Sequence, residues 1–178
     1  VQSLDNPGGA CSGTSDILDL DAQIDLIQAM QPDVKSIGIL YTTSEANSIT
    51  QLEIFKGIAN ERGIEVVPSG VQNASDIPAA AAALANQVDC INNFTDNNVV
   101  NNLTVVLDAA NSAGIPVYGS EVEQVKNGCL AAVSIDYVAL GKVTGEMAIE
   151  VLNGADISTM AVRTISDATP VVNTEVLE

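Results

Sequence analysis

The sequence predicts an α/β fold built on a doubly wound parallel sheet. Short, β-rich apolar runs begin at residues 36, 64, 88, 115 and 129, so they start 28, 24, 27 and 14 residues apart. Helical patterns of apolar residues lie between these runs, and such spacing is typical of successive βα units. Because crossovers between parallel strands are right-handed, few strand orders remain, and we expect the order 2-1-3-4-5.

The first helix precedes the first strand. Apolar residues recur at helical spacing from Ile17 to Met30, and Pro32 ends the pattern. Ser15 or Asp16 is suited to cap the start of this helix. The strand that follows is predicted at Ser36–Tyr41.

A second helix, of about 16 residues, is predicted between the first two strands. Ile49, Leu52, Phe55 and Ile58 recur every three residues, and Gly63 lies where a glycine commonly ends a helix. The pattern therefore places these four side chains on the buried face.

Two more crossover helices follow. The alanine run from residue 79 to residue 83 comes after Ser75 and Asp76, which suit a helix start, and Pro78 is tolerated in the first turn. An apolar stripe from Val99 to Ala110 predicts the next helix, which ends at Gly114.

The C-terminal part begins with the predicted strand at residues 129–133. A helix from Asp136 to Asn153 follows, with an apolar face of Tyr137, Leu140, Met147 and Val151. Short extended runs at residues 162–165 and 171–172 complete the pattern.

The composition indicates a globular protein with an acidic surface. The chain has 178 residues, of which 47% are apolar and 16% are charged, and this length suits one domain. Its formal net charge is −17, from 6 Lys plus Arg and 23 Asp plus Glu. Such a surface repels nucleic acid and anionic membranes, so we expect no nucleic-acid partner.

Missing residue types exclude several kinds of site. The chain has no histidine, which removes Ser-His-Asp and Cys-His catalysis and most zinc sites. Its cysteines, at positions 11, 90 and 129, lack metal-ligand spacing, and the last two are expected in the core. We therefore predict neither a metal nor a cofactor.

No run approaches the roughly 20 apolar residues of a membrane span, and residues 1–20 do not read as a signal sequence.

Ligands of doubly wound sheets bind beyond the carboxyl ends of the strands, where the strand order reverses. The loop after the first strand, Tyr41–Ser48, is rich in hydroxyls and amides and opens onto a helix. The free N–H groups of that helix start suit a carboxylate. Alternatively, Thr43 or Ser44 caps the helix and satisfies the same groups.

The loop after the third strand, Asn92–Asn98, offers a carboxylate, amides and an aromatic ring. Asp96 is predicted to hold an ammonium group and Phe94 to cover apolar ligand surface, although Thr95 or Asp96 could instead cap the next helix. Glu121, after the fourth strand, either faces the same crevice or is a helix-start acid.

These residues favour recognition over catalysis. A receiver-type phosphoacceptor domain needs an acidic pair after the first strand and a lysine after the fifth. This chain has Tyr41–Thr43 at the first of these places and Ser134–Ile135 at the second. No Gly-x-Ser-x-Gly elbow occurs either. We therefore predict that the chain is not an enzyme.

Five segments of the sequence carry a resemblance to a known family: residues 6–16, 37–48, 95–97, 119–121 and 124–128. They resemble ABC-transporter substrate-binding proteins of the tryptophan and aromatic amino-acid uptake type. The resemblance implies one lobe of a two-lobed type 1 periplasmic binding protein, and the chain departs from it at Cys11. Members of this family are periplasmic or lipid-anchored and deliver a small ligand to a membrane permease. The resemblance therefore implies an extracytoplasmic protein with a permease as its partner.

The resemblance also implies the domain organisation. Residues 1–178 would be a C-terminal lobe fragment, with residues of about 15 to 134 forming the second lobe and helix 136–153 passing to the first lobe. The apolar face of that helix would then be exposed or drive self-association. Alternatively, the helix packs on its own sheet as a sixth βα element.

Carried over residue by residue, the resemblance implies a ligand-binding set. Its members are Ser44, Asn47, Ser48, Thr95, Asp96, Asn97 and Glu121, with Ser15 and Asp16 as further candidates. The expected ligand is a small zwitterion, an aromatic or other apolar amino acid, bound in an interlobe cleft. The alternative is a ligand-sensing lobe of a transcription regulator with the same fold.

Overall fold

A computed structural model of the chain describes residues 3–165 and 168–177, which belong to two compact units. The small unit comprises Val1–Leu18 and Ile135–Thr169, and the large unit comprises Asp19–Ser134 and Pro170–Glu178. The change from one unit to the other therefore falls close to the lobe limits that the resemblance implies. That the small unit is part of a first lobe stays a prediction.

Strands and helices alternate along the chain. In order they are β1 (Thr14–Ser15), α1 (Leu20–Met30), β2 (Ser36–Thr42), α2 (Ala46–Glu61), β3 (Glu65–Val71), a 3-10 turn (Ala74–Asp76), α3 (Ile77–Ala85), β4 (Cys90–Asn92), α4 (Asn97–Asn101), α5 (Leu103–Ala113), β5 (Val117–Tyr118), α6 (Val122–Lys126), β6 (Ala131–Ser134), α7 (Tyr137–Leu152), a 3-10 turn (Ile157–Thr159), β7 (Arg163–Thr164) and β8 (Thr169–Val172).

The large unit contains a parallel sheet in the order β3-β2-β4-β5. Two backbone hydrogen bonds place β6 beside β5: Gly119 N–H donates to Ala131 O (2.9 Å), and Leu130 N–H donates to Val117 O (2.7 Å). Counted by the predicted strands, this is the order 2-1-3-4-5, and the doubly wound α/β fold is confirmed. On its other side β6 pairs with β8.

Both faces of the central strand β2 are covered. Ile37, Ile39 and Leu40 are fully buried, and alternate side chains of a strand point to opposite faces. Helices α1 and α2 pack against each other, as do α3 and α5. Gly38 permits the close approach of α3, because a Cβ atom there would lie 2.9 Å from Cγ of Leu84.

Three details differ from the sequence-based expectations. Asp19 caps α1, where its side chain accepts from Ala22 N–H, because Ser15 belongs to β1 instead. The expected buried face of α2 is rotated, since Ile49 is 41% exposed. The helix expected from Val99 to Ala110 is broken at Asn102 into α4 and α5.

The small unit is built around α7 and a short parallel pair, β1 with β7. The hydroxyls of Thr14 and Thr144 are 2.7 Å apart and join β1 to the helix. Met147 is the buried residue of α7, whereas Val138 is 69% and Leu152 is 85% exposed. A largely apolar groove of about 400 Å³ lies along this helix.

No helix in residues 3–165 or 168–177 combines the length and the apolar character that crossing a bilayer requires.

Candidate functional site

The carboxyl edge of the sheet is organised by the carboxylate of Asp96. This side chain is fully buried. Its oxygens accept from Thr42 N–H (2.7 Å), Thr42 Oγ1 (2.7 Å), Ser48 Oγ (2.7 Å) and Val99 N–H (3.1 Å). One acid thus ties the end of β2, the first turn of α2 and the start of α4 together.

The same contacts determine the ionisation of Asp96. Burial opposes the charged form, but the hydrogen bonds from Thr42, Ser48 and Val99 outweigh it and hold the pKa of this carboxyl below its ordinary value of 3.8. The group is therefore a carboxylate at neutral pH, with neutral donors in place of a cation.

Further polar contacts join the two loops. The Glu45 carboxylate accepts from Asn97 N–H (3.2 Å) and from Asn97 Nδ2 (3.1 Å), while Asn98 Nδ2 donates to Thr42 Oγ1 (3.2 Å). Glu45 is absent from the predicted set. Its position just before the helix start was the available signal, because an acid there is common.

The start of α2 carries no side-chain cap from the described residues. Thr43, one of the two expected caps, donates its hydroxyl to Val71 O (3.3 Å) instead, and Ser44 is exposed. The N–H groups of the first turn are therefore open to a bound anion such as a carboxylate.

The predicted site residues fall into three groups by exposure. Ser44, Asn47 and Asn97 are exposed, Thr95 and Glu121 are partly buried, and Ser48 and Asp96 are fully buried. Asp96 and Ser48 bond to each other, and this arrangement favours a positioning role over the direct ammonium contact expected for Asp96. The exposed and partly buried members remain candidates for ligand contact.

Glu121 is the helix-start acid of α6. Its oxygens accept from Glu123 N–H and Gln124 N–H, both at 2.8 Å. The two further candidates lie in the small unit, where Ser15 belongs to β1 and the Asp16 carboxylate accepts from the Tyr137 hydroxyl at 3.3 Å.

The expectation that Phe94 covers a ligand is wrong. Its ring is fully buried and meets Phe55 of α2 edge to face, with centroids 5.7 Å apart. An aromatic residue in a polar loop indicated a ligand contact, but here burial of the ring anchors that loop to α2.

Sequence reasoning also missed Gln23. It is 3% exposed and lies on the buried face of α1 beside Leu20 and Ile24. A polar residue at a core position of a helix pattern was the available signal, because a buried amide needs hydrogen-bond partners.

The thiols offer little chemistry in the large unit. Burial, aided by the negative charge of Glu121, raises the pKa of Cys129 to about 12. Burial likewise raises the pKa of Cys90, so both stay protonated and poorly nucleophilic at neutral pH. Within residues 3–165 and 168–177, no group of three or more acidic or cysteine side chains is arranged to hold a metal ion.

Comparison with known proteins gives consistent matches. The family model described as ABC transporter substrate binding protein matches residues 1–178. The tyrosine-binding protein of Clostridioides difficile (strain R20291) is 37% identical over 178 residues, which are 100% of this chain and 52% of that protein.

Solved structures agree with these matches. The ABC domain from Streptococcus pneumoniae in complex with L-Trp has 36% identity and a TM-score of 0.93, over 99% of this chain and 61% of that one. A ligand-free, open substrate binding protein with adhesive properties from Clostridium difficile has 36% identity and a TM-score of 0.79, over 99% and 60%. A LacI family regulator from Bifidobacterium animalis, at 13% identity and a TM-score of 0.60, shares the fold alone.

The chain spans 52% of the curated relative and about three fifths of the two similar solved chains. Substrate-binding proteins are not enzymes, so the prediction that this chain is not an enzyme is confirmed. The chain belongs to the family of ABC transporter substrate binding proteins.

Proposed function

We propose that the full-length protein is an extracytoplasmic receptor that binds a zwitterionic amino acid with an aromatic or apolar side chain. The ligand would bind at the carboxyl edge of the sheet, in the predicted interlobe cleft, and would pass to an ABC permease. The observation that supports this most is the uncapped start of α2, held in place by Asp96 beside exposed polar residues.

The edge offers complementary groups for both ends of a zwitterion. A carboxylate fits the open N–H groups at the start of α2, where Ser44 and Asn47 are exposed. Partly buried carboxylates at Glu45 and Glu121 are suited to attract the ammonium group. The net charge of −17 disfavours an anionic ligand but is neutral toward a zwitterion.

The names of the relatives point to the same class of ligand. The Clostridioides difficile relative is a tyrosine-binding protein, and the Streptococcus pneumoniae domain is in complex with L-Trp. L-tyrosine and L-tryptophan are therefore the first probes, with L-aspartate as an anionic comparison.

Calorimetric titration of the full-length protein tests the proposal. We expect saturable binding of L-tyrosine or L-tryptophan, and binding at least about tenfold weaker, or 1.4 kcal/mol, in the Asn47→Ala variant. Asn60→Ala is the matched control, because Asn60 is an exposed asparagine at the other end of the same helix.

Two results would count against the proposal. Failure of the wild-type protein to bind any apolar amino acid would exclude the function. Equal affinities of the Asn47→Ala and Asn60→Ala variants would exclude the Asn47 side chain as a ligand contact at the start of α2.

A further inference from the structure

The buried side chain of Gln23 connects three strands of the sheet, β4, β5 and β6. Its Nε2 donates to Asn92 Oδ1 (2.8 Å) and to Gly119 O (3.0 Å), and its Oε1 accepts from Val133 N–H (2.8 Å). These partners belong to the end of β4, the residue after β5 and the interior of β6. Both amide atoms of Gln23 are thus satisfied in the core.

The orientation of this amide is unambiguous. A backbone carbonyl can only accept and a backbone N–H can only donate, so Gly119 O and Val133 N–H together distinguish Nε2 from Oε1. The Asn92 side chain is fixed in turn, because its Oδ1 must face the donor on Gln23.

Gln23 occupies the place of a ladder hydrogen bond. Gly119 N–H donates directly to Ala131 O (2.9 Å). In a parallel pair the next bond would run from Val133 N–H to Gly119 O. Here the Gln23 amide stands between those two groups and bonds to each, so β5 and β6 diverge at this point with no backbone partner lost.

The divergence lies directly below the loops of the proposed site. Gly119 precedes Ser120, whose hydroxyl donates to Asn93 O, and Glu121, which caps the start of α6. Asn92 precedes the loop that contains Asp96. The position of both loops therefore depends on the amide from α1.

We infer that Gln23 is a positioning residue for ligand binding, which holds the loops after β4 and β5 at the geometry the ligand requires. This inference rests on the proposed function. It differs from a merely structural role because it predicts a loss of affinity in protein that remains fully folded.

The test compares Gln23, in α1, with Gln31, the residue directly after α1, in the full-length protein. Gln23→Met removes the amide but keeps an unbranched side chain of similar size. Gln31→Met is the matched control, because Gln31 follows the same helix and bonds to Asp89 O (3.2 Å) and the Tyr118 hydroxyl (3.3 Å), near the amino end of β4. Titration with L-tyrosine and L-tryptophan is done well below the unfolding temperature of each variant.

We expect Gln23→Met to bind at least tenfold more weakly than wild type, and Gln31→Met to bind within about threefold of it. Gln23→Met with an affinity within threefold of wild type overturns the inference, as does an equal loss in Gln31→Met.

A second variant keeps the test valid if Gln23→Met does not fold. In Gln23→Glu the ionised carboxylate can accept from Val133 N–H but cannot donate to Gly119 O, whereas the protonated acid can do both. Burial raises the pKa of a carboxyl. The affinity of Gln23→Glu relative to wild type should therefore recover as the pH falls from about 8 to about 5. A flat ratio of affinities over this range contradicts the inference.

Hydrogen exchange separates failure of the inference from failure of the proposed function. Without any ligand, the Val133 amide should exchange at least about tenfold faster in Gln23→Met than in Gln31→Met. If wild type binds no amino acid, the proposed function is wrong, and unchanged Val133 exchange would then reject the positioning role as well.

Discussion

A buried carboxylate without a cation is the central residue of the candidate site. The chain has only 6 Lys plus Arg for 23 acidic residues, so a salt bridge is not the obvious means of burying an acid. Asp96 instead accepts four hydrogen bonds from two hydroxyls and two backbone N–H groups. Such donors compensate the desolvation of a charge without adding another one.

Replacing Asp96 should reduce both stability and affinity. Asp96→Ala leaves the donors of Thr42, Ser48 and Val99 without their acceptor, so we expect a loss of about 3 kcal/mol in the free energy of unfolding, measured by urea denaturation. In the full-length protein, affinity for L-tyrosine or L-tryptophan should also fall at least about tenfold.

Asp89→Ala is the matched control for Asp96→Ala. Asp89 accepts from Lys35 N–H (2.8 Å), Ser36 N–H (2.8 Å) and Ser36 Oγ (3.0 Å), just before β4 and therefore at the amino edge of the sheet. This control should lose stability but keep its affinity. Equal affinity losses in both variants would indicate general destabilisation.

The Asp96 contribution should disappear in acid. Its pKa is lower in the folded protein than the ordinary value of 3.8, so its stabilisation is complete above that value and is lost as pH falls through the folded pKa. The difference in unfolding free energy between wild type and Asp96→Asn should therefore shrink from about pH 5 to about pH 2. A difference that is constant over this range would show that ionisation of Asp96 contributes nothing.

At the level of elements, periodicity predicted the helices better than their faces. Helix α2 has 16 residues, as expected, yet its buried residues are Ser48, Leu52, Phe55 and Ala59. A strict spacing of three places Ile49 on the core side, whereas a helix repeats every 3.6 residues and its buried positions drift accordingly. Ser48 belongs to the predicted ligand-binding set, but its burial beside Asp96 depends on a contact 48 residues away.

Contacts between distant segments account for the other differences. The two loops lie at one edge of the sheet, as the predicted strand order implied and as the Glu45–Asn97 and Thr42–Asp96 contacts show. Local patterns could not show that Phe94 would meet Phe55 or that Gln23 would reach three strands, because each depends on tertiary packing. The end of α4 at Asn102 could not be predicted either, because apolar residues continue at helical spacing on both sides of it.

A pair of glycine substitutions tests the packing of α3 on β2. Gly38→Ala would place a Cβ atom 2.9 Å from Cγ of Leu84, so we expect a loss of about 1 to 3 kcal/mol. Gly57→Ala, in α2, meets nothing within 4 Å and should stabilise by about 0.5 to 1 kcal/mol. Chemical denaturation measures the free energy of unfolding of both variants. If Gly38→Ala leaves it unchanged, α3 can shift to accommodate the added methyl group.

For the molecule as a whole, the two units should differ in protection. Of the α7 residues, all described, Met147 alone is buried, and Ile149 is 57% exposed. We expect the isolated chain either to self-associate through α7 or to exchange the amides of α7 faster than those of α2. Light scattering measures the self-association, and hydrogen exchange measures the protection of the amides. A monomer in which the amides of α7 and α2 are equally protected would show that α7 belongs to this lobe.

Ligand affinity provides a second test at this scale. A cleft between two lobes buries its ligand against both walls, so these 178 residues alone should bind L-tyrosine or L-tryptophan with about millimolar affinity at best. Titration followed by chemical-shift changes is suitable for such weak binding. Micromolar binding by the isolated chain would contradict the two-lobed arrangement.

The pairing of β6 with β8 also restricts the order in which the chain can mature on the ribosome. Residues 135–168, which belong to the small unit, are made between these strands, so the large unit cannot acquire β8 until that intervening stretch has been synthesised. The nascent β6 must then wait with one edge unpaired, and exposed strand edges invite pairing with other chains. Translation speed through residues 135–168 should consequently influence how much of the protein reaches its native state.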